Sequence, residues 1–314
     1  MNTNFAQLRA FTAVLDAGGF AAAAQHLGIS QSGVSHSVAA MERELGGPLI
    51  VRGRGQAGPT PFGERLLVHA RSALAAVDAI QAVAEQRDGL PSGIVRLAAQ
   101  PAVCRGLLPD LLTRWRQELP RVTVTVFEGE EDEIAAWLEA GTVDLAVLVN
   151  PSAPPAGSLR VAEDVFGALL PADHPLAGEP SVAADELQDD TFLYTDGGCE
   201  RYVHEAHRQP GVQFRPTHRV SELATLVAMV RSGVGVTILP AMARPLLTPE
   251  TVFVPLQPRI TRSLVLTGPA GRPWPPAAAA VVRASVPVVP CPDALENSGE
   301  QPVERHGSRR SVGA

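Results

Sequence analysis

The chain has 314 residues, of which 45% are hydrophobic and 19% charged, with a formal net charge of −7. The length fits about two domains, and all 26 basic residues are Arg, which excludes chemistry resting on the chain's own lysine, such as a Schiff base, a P-loop or a kinase fold. Three cysteines, Cys104, Cys199 and Cys291, cannot build a disulfide framework, and an odd count fits a reducing compartment. The opening MNTNFAQLRAF has no signal-peptide pattern, and no apolar run reaches the roughly 18 residues of a membrane span. These features read as a soluble, cytoplasmic protein with no membrane partner. Charge is uneven: residues 1–71 balance at +2 and the remainder at −9. A mildly basic head on an acidic body permits a nucleic-acid-binding head without demanding one.

The first ninety residues read as helical. Phe5, Leu8, Phe11 and Leu15 recur at helical spacing until Gly18-Gly19. A short helix from Phe20 to Leu27 ends at Gly28, and Ser30 is a good cap for a third helix. In that helix Val34, Val38, Met41 and Leu45 form one apolar stripe, opposite Gln31, Ser32, Ser35 and His36. Gly46-Gly47-Pro48 breaks it, and the Gly- and Arg-rich VRGRGQAGPT has strand-like ends. Helix, helix, turn, helix, hairpin is the order of a winged helix-turn-helix, expected over residues 1–60.

Thr60 and Pro61 open a long helix, expected over 61–88. Leu66, Ala70, Ala73, Val77, Ile80 and Ala84 step by fours and threes as a heptad seam, the pattern of a pairing surface in a homodimer. The alternative is an amphipathic helix packed on its own domain. From residue 93 strands and helices alternate: IVRLAA, then a helix from Leu107 to Leu119, VTVTVF, a helix over 131–139, and VDLAVLV. After NPSAPPAG a second set follows, with strands at 165–170, 191–195, 216–220 and 234–239 and helices near 198–208 and 221–232. Such repeated units predict an α/β domain over 89–290 with a parallel sheet. Lobe one is expected at 93–160 and 268–290, lobe two at 161–267, and a disordered tail at 291–314.

These residues resemble the LysR-type transcriptional regulators. The segment FAQLRAFTAVLDAGGFAAAAQHLGISQSGVSHSVAAMERELGGPLIVRGRG is similar to that family's DNA-binding domain, and PTPFGE to the entry of its linker helix. GIVRLAA, LLPDLLTRWRQELPRVTVTV, WLEAGTVDLAVL and SELATLVAMVRSGVGVTILP are similar to its effector domain. The resemblance spans roughly residues 4–287. It implies a winged helix-turn-helix, a dimerising linker helix and a two-lobed periplasmic-binding-protein-like domain. It also implies a homodimer or homotetramer that answers to a small molecule between the lobes, with RNA polymerase as a further partner. Gly19, Gly33 and His36 depart from the family's common residues in the head.

On the third helix, Gln31 suits a bidentate bond to adenine, while Ser32, Ser35 and His36 suit base edges or phosphates. Arg52 and Arg54 on the wing suit phosphates or a narrow minor groove. In the body, the carboxyl ends of the strands and the crossovers place Gln100, Ala102, Glu128, Asn150, Thr195, Asp196, Cys199 and Thr267 at an effector cleft. Glu128 and Asp196 there favour a neutral, zwitterionic or cationic ligand over a polyanion. Cys199, His204 and His207 have the makings of a soft metal site, but their spacing matches no standard zinc module, so no metal is expected. Cys104 and Cys199, near helix starts and Arg105 or Arg201, are candidates for lowered thiol pKa and a redox role, set against the simpler reading of buried small hydrophobes. GxSxG, HExxH and CxxC are absent, and Gly233-Val-Gly235 lacks the third Gly of a dinucleotide loop, so no catalytic residues and no cofactor are expected. The alternative function is a small-molecule binding protein whose helical head only oligomerises.

Overall fold

The computed structural model describes residues 3–51, 57–85, 90–195, 198–208 and 215–286. The head begins with α1 (Phe5–Asp16), where Asn4 accepts from the Gln7 amide at 3.0 Å and the Gln7 side chain accepts from the Asn4 amide at 2.7 Å. α2 (Phe20–Leu27) stops at Gly28, whose φ of +66° gives it the left-handed conformation that a side chain disfavours. α3 (Gln31–Leu45) is capped as expected, Ser30 Oγ accepting from the Gly33 amide at 3.1 Å. Val34, Val38 and Met41 point inward from α3 to meet Phe11, Val14, Ala23 and Leu49 in one small core. Of the stripe expected on α1, Phe11 is fully buried and Leu8 and Leu15 pack on the core, joined by Ala10, Ala13 and Val14; only Phe5 departs, at 53% exposed. β1 (Ile50–Val51) and β2 (Gly58–Pro59) pair antiparallel as the base of the wing. Glu42 fastens that base, its Oε1 accepting from the Leu49 amide at 2.9 Å.

α4 (Pro61–Glu85) starts where Thr60 Oγ1 accepts from the Gly63 amide at 2.9 Å. The heptad seam does not face outward along its length. Leu66 packs on the head's core and Ala70 is 3% exposed within it, because α1 lies across this end of α4. Ala73 and Val77 are half-buried, and Ile80 is 69% exposed. The first half of the helix is therefore packed within its own chain, while Ile80 is left in solvent; the side chain of Ala84 lies outside the described residues.

The body starts with β3 (Gly93–Ala99), α5 (Pro101–Gly106), α6 (Leu108–Glu118), β4 (Val122–Glu128), α7 (Glu131–Ala140) and β5 (Leu145–Val149). The helix expected from Leu107 is thus preceded by a separate short one. The chain continues with β6 (Leu159–Pro171), β7 (Leu193–Thr195), α8 (Glu200–Arg208), β8 (His218–Val220), α9 (Leu223–Arg231) and β9 (Thr237–Pro240). It ends with β10 (Thr251–Pro255), β11 (Thr261–Thr267) and α10 (Pro276–Ala284). β3 pairs parallel with β4 and β5, but β11 runs antiparallel to both β5 and β6, and β9 and β10 run antiparallel to β6. The sheet is therefore mixed rather than parallel. β6 ties the lobes together: its first half pairs with β11 in lobe one, its second half with β9 and β10 in lobe two. The strand RSLVLTG, expected in lobe two, lies in lobe one, so the chain returns at Thr261 rather than after Thr267. Its apolar run marks a strand without saying which neighbour it joins. The stretch expected to return to the first set does so as α10, against β3 and α6. The expected tail lies outside the described residues.

Candidate functional sites

The winged head turns one face of α3 outward. Gln31, Ser32 and His36 are exposed and Ser35 is half-buried; Ser32 and His36 lie across the helix from Val34, Val38 and Met41, while Gln31 sits in the first turn, one turn before Val34. Ser32 Oγ lies 3.0 Å from the capping Ser30 Oγ, so the start of the helix carries a row of hydroxyls. This is the position in which a recognition helix presents side chains to a major groove. Arg52 and Arg54 fall outside the described residues.

Between the lobes lies a cavity of about 260 Å³, lined by Gln100, Ala102, Glu128, Thr195 and Cys199 among the expected residues. Sequence reasoning missed Arg105, Glu130, Glu222 and Arg262, which also line it. Arg262 heads β11, and with that strand assigned to the wrong lobe nothing pointed it at the cleft. It is 1% exposed; its Nε donates to Asp164 Oδ2 at 3.0 Å and its Nη1 to Gln100 Oε1 at 3.2 Å. Asp164 Oδ1 in turn accepts from the amides of Val165 (3.0 Å) and Met242 (3.1 Å). Burial pushes the Asp164 carboxyl up, and Arg262 pulls it back down. Burial, with repulsion from Glu133 and Glu128, also pushes up the Glu130 carboxyl.

Three expected residues stand apart. Asp196 is outside the described residues. Thr267 is fully buried, its Oγ1 2.7 Å from Ser158 Oγ and donating to Gly268 O at 3.0 Å, and serves the strand end rather than the cleft. Asn150 lines a wider, open depression of about 710 Å³ with Arg201, Tyr202, Glu205 and Arg208. Its side chain accepts from the Ser263 amide at 2.6 Å and donates to Tyr202 Oη at 3.1 Å, which holds the end of β5 at a positive φ of 45°. The smaller cavity is the better candidate site, since its lining includes the buried polar Gln100, Thr195 and Arg262 and comes from both lobes.

The lowered thiol pKa is overturned. Burial pushes Cys104 up to about 11, with Glu128 adding to the shift and Arg105 opposing it. Burial likewise pushes Cys199 up to about 11, against Arg262. Desolvation outweighs both the helix starts and the nearby guanidinium groups. Nor do Cys199, His204 and His207 come together: His207 is buried edge-on against Phe192 with its Nδ1 2.8 Å from Val203 O, while His204 lies 3.6 Å from Glu200. Among the described residues no group of three His, Cys, Asp or Glu is placed to hold a metal ion.

A winged helix-turn-helix joined by one helix to a two-lobed α/β domain with a polar cleft defines a DNA-binding regulator that carries its own ligand sensor. Comparison with known proteins agrees. Residues 5–64 match the family described as bacterial regulatory helix-turn-helix protein, lysR family, and residues 88–288 match the LysR substrate binding domain. The chain belongs to the LysR family of transcription regulators. It is 37% identical over 246 residues to a probable hydrogen peroxide-inducible genes activator of Mycobacterium avium, covering 76% of this chain and 78% of that one. A full-length OxyR variant from Pseudomonas aeruginosa superposes with a TM-score of 0.74 at 24% identity, covering 90% of this chain and 98% of that chain. Full-length CbnR complexed with its target DNA superposes with a TM-score of 0.63 at 22% identity, covering 90% and 98%. Among the described residues no helix is long and apolar enough to cross a membrane.

Proposed function

We propose that the chain regulates transcription by binding double-stranded DNA through α3 and the wing, under the control of a small molecule held in the 260 Å³ cleft. The observation that carries this reading is the outward face of α3, where Gln31, Ser32 and His36 are exposed while Val34 and Val38 lock the helix to its core. A head that only oligomerised would have no need of a row of hydrogen-bonding side chains on a convex surface. Work as a homodimer or homotetramer is in keeping with the exposed Ile80 on α4, and two heads on one site would favour a palindromic operator. Action in the cytoplasm, contact with RNA polymerase and the absence of catalysis belong to the same reading.

Hydrogen peroxide, named for the mycobacterial relative, is not supported here as the signal. The thiols of Cys104 and Cys199 are both held near 11, so little thiolate is present to react at neutral pH. A gel-shift assay with DNA upstream of the chain's own gene tests the proposal. At low salt, where phosphate contacts are strongest, a retarded complex is expected, and its absence overturns the reading.

A further inference from the structure

Among the described residues, four buried atoms around the cleft make no hydrogen bond: Gln100 Nε2, Arg105 Nη1, Glu130 Oε2 and Arg262 Nη2. Two are held by charge alone, Arg262 Nη2 2.9 Å from Asp164 Oδ2 and Arg105 Nη1 3.7 Å from Glu128 Oε1. Buried polar groups are nearly always bonded, so a cluster of open ones beside a cavity describes the molecule that fills it.

Gln100, only 3% exposed, sets the geometry. Its Oε1 accepts from Arg262 Nη1 at 3.2 Å. A guanidinium only donates, so the amide cannot flip and Nε2 must point away from Arg262. A Cβ built on Gly198 would fall 2.8 Å from Gln100 Nε2 and 3.4 Å from Glu130 Oε2. The donor and the carboxylate oxygen thus lie close to one another beside Gly198, in two residues that both line the cavity.

Charge narrows the choice. Arg262 is neutralised by Asp164, which leaves Arg105 against Glu128, Glu130 and Glu222 around the cavity. This surplus of carboxylate repels a dicarboxylate or an inorganic anion. A simple amine would satisfy Glu130 but leave Gln100 Nε2 and Arg105 Nη1 without an acceptor. A cavity of about 260 Å³ admits a small metabolite rather than a drug-sized one.

We propose that the cleft binds a small zwitterion of amino-acid size, its ammonium group on Glu130 Oε2 and its carboxylate on Gln100 Nε2 and Arg105 Nη1. The inference rests on the regulator reading and names the chemistry of its effector.

Calorimetric titration of the full-length chain with the proteinogenic L-amino acids, one at a time, tests it. At least one is expected to bind, with its decarboxylated and deaminated counterparts weaker by about tenfold or more, since each leaves a buried group unpaired. Glu130→Gln, nearly isosteric, is expected to weaken the zwitterion by about tenfold without weakening the deaminated acid. Gln100→Ala should weaken zwitterion and acid together. Circular dichroism and thermal melting of each variant without ligand establish that it is folded. Binding of no amino acid, equal binding of the amine or the acid, or an unchanged Kd in Glu130→Gln overturns the proposal. The gel shift of the ligand-free chain is independent of this site, so a retarded complex with no zwitterion bound removes only the present inference.

Discussion

Arg272 of the effector domain donates from Nη1 to Ser72 Oγ on the linker helix at 2.7 Å, while its Nη2 donates to Leu138 O at 3.2 Å. One residue earlier on the helix, Arg71 bonds both to Asp16 at the end of α1 and to Thr142 beyond α7. The two guanidinium groups bracket head, linker and effector domain in a single chain.

Replacing both Arg71 and Arg272 by Ala should therefore free the head from the body more than it destabilises either. The Arg71–Asp16 pair is half exposed on its acidic side, so its share of stability is about 1 kcal/mol or less. Small-angle X-ray scattering should show a larger radius of gyration for the double variant with nearly unchanged denaturant midpoints. An unchanged scattering profile would mean that the contacts of α4 with α7 and α10 hold the domains without the bracket.

On the DNA side, Gln31→Ala should cost about 1–3 kcal/mol on the specific operator and little on random DNA, as a base contact does. Gln31 is exposed at the first position of α3 and packs on nothing in the head's core, so the fold should not suffer. Fluorescence anisotropy with both DNAs at two salt concentrations separates the outcomes. Equal losses on the two would make Gln31 a positioning residue.

Much of this was legible because local rules acted alone. Ser30 and Thr60 cap their helices, Gly28 ends its helix, and Val34, Val38 and Met41 face the core, all as spacing and capping chemistry dictate. Gln100, Ala102, Glu128, Thr195 and Cys199 were placed at the cleft because they end strands or begin helices. What stayed hidden depended on distant partners. Arg262 looks like an ordinary strand residue until β11 is seen beside β5, and the exposure of Phe5 at the start of α1 depends on what packs there. The cysteines misled because a nearby Arg is visible in a sequence and the depth of burial is not.

Both described thiols should behave as spectators at neutral pH. Their folded pKa values of about 11 lie above the roughly 8.5 of an unfolded cysteine. The sign follows: this contribution to stability is intact below about pH 8.5 and is lost as pH rises toward the folded value, because the unfolded chain releases its thiol protons first. Mass spectrometry after iodoacetamide treatment at pH 7 should find Cys199, which is 4% exposed, modified far more slowly in the folded chain than in denaturant. Denaturant midpoints should fall between about pH 8.5 and 11 and fall less in Cys199→Ala. Rapid labelling of Cys199 at pH 7, or a loss of operator binding on peroxide treatment that Cys199→Ala prevents, would restore a redox role.

The linker helix is enclosed by its own chain at one position and open to solvent at another. Ala70 is 3% exposed, enclosed by the head's core, whereas Ile80 is 69% exposed ten residues on with its side chain in solvent. An aspartate at position 70 would bury an unpaired charge, so Ala70→Asp should unfold or loosen the head at a cost of several kcal/mol. Ile80→Asp should leave the monomer's stability within about 0.5 kcal/mol, since it replaces a residue already in water. In a two-fold dimer through this end of α4, however, the two aspartates would meet in an apolar seam and oppose each other. Light scattering on Ile80→Asp should then report a lower mass than for the unaltered chain, and DNA titration should show weaker, less cooperative binding. Val77→Asp, half a seam away and half-buried, should do the same with some loss of monomer stability. An unchanged mass for Ile80→Asp, with operator affinity intact, would place the subunit contact elsewhere and leave α4 as a helix packed within its own chain.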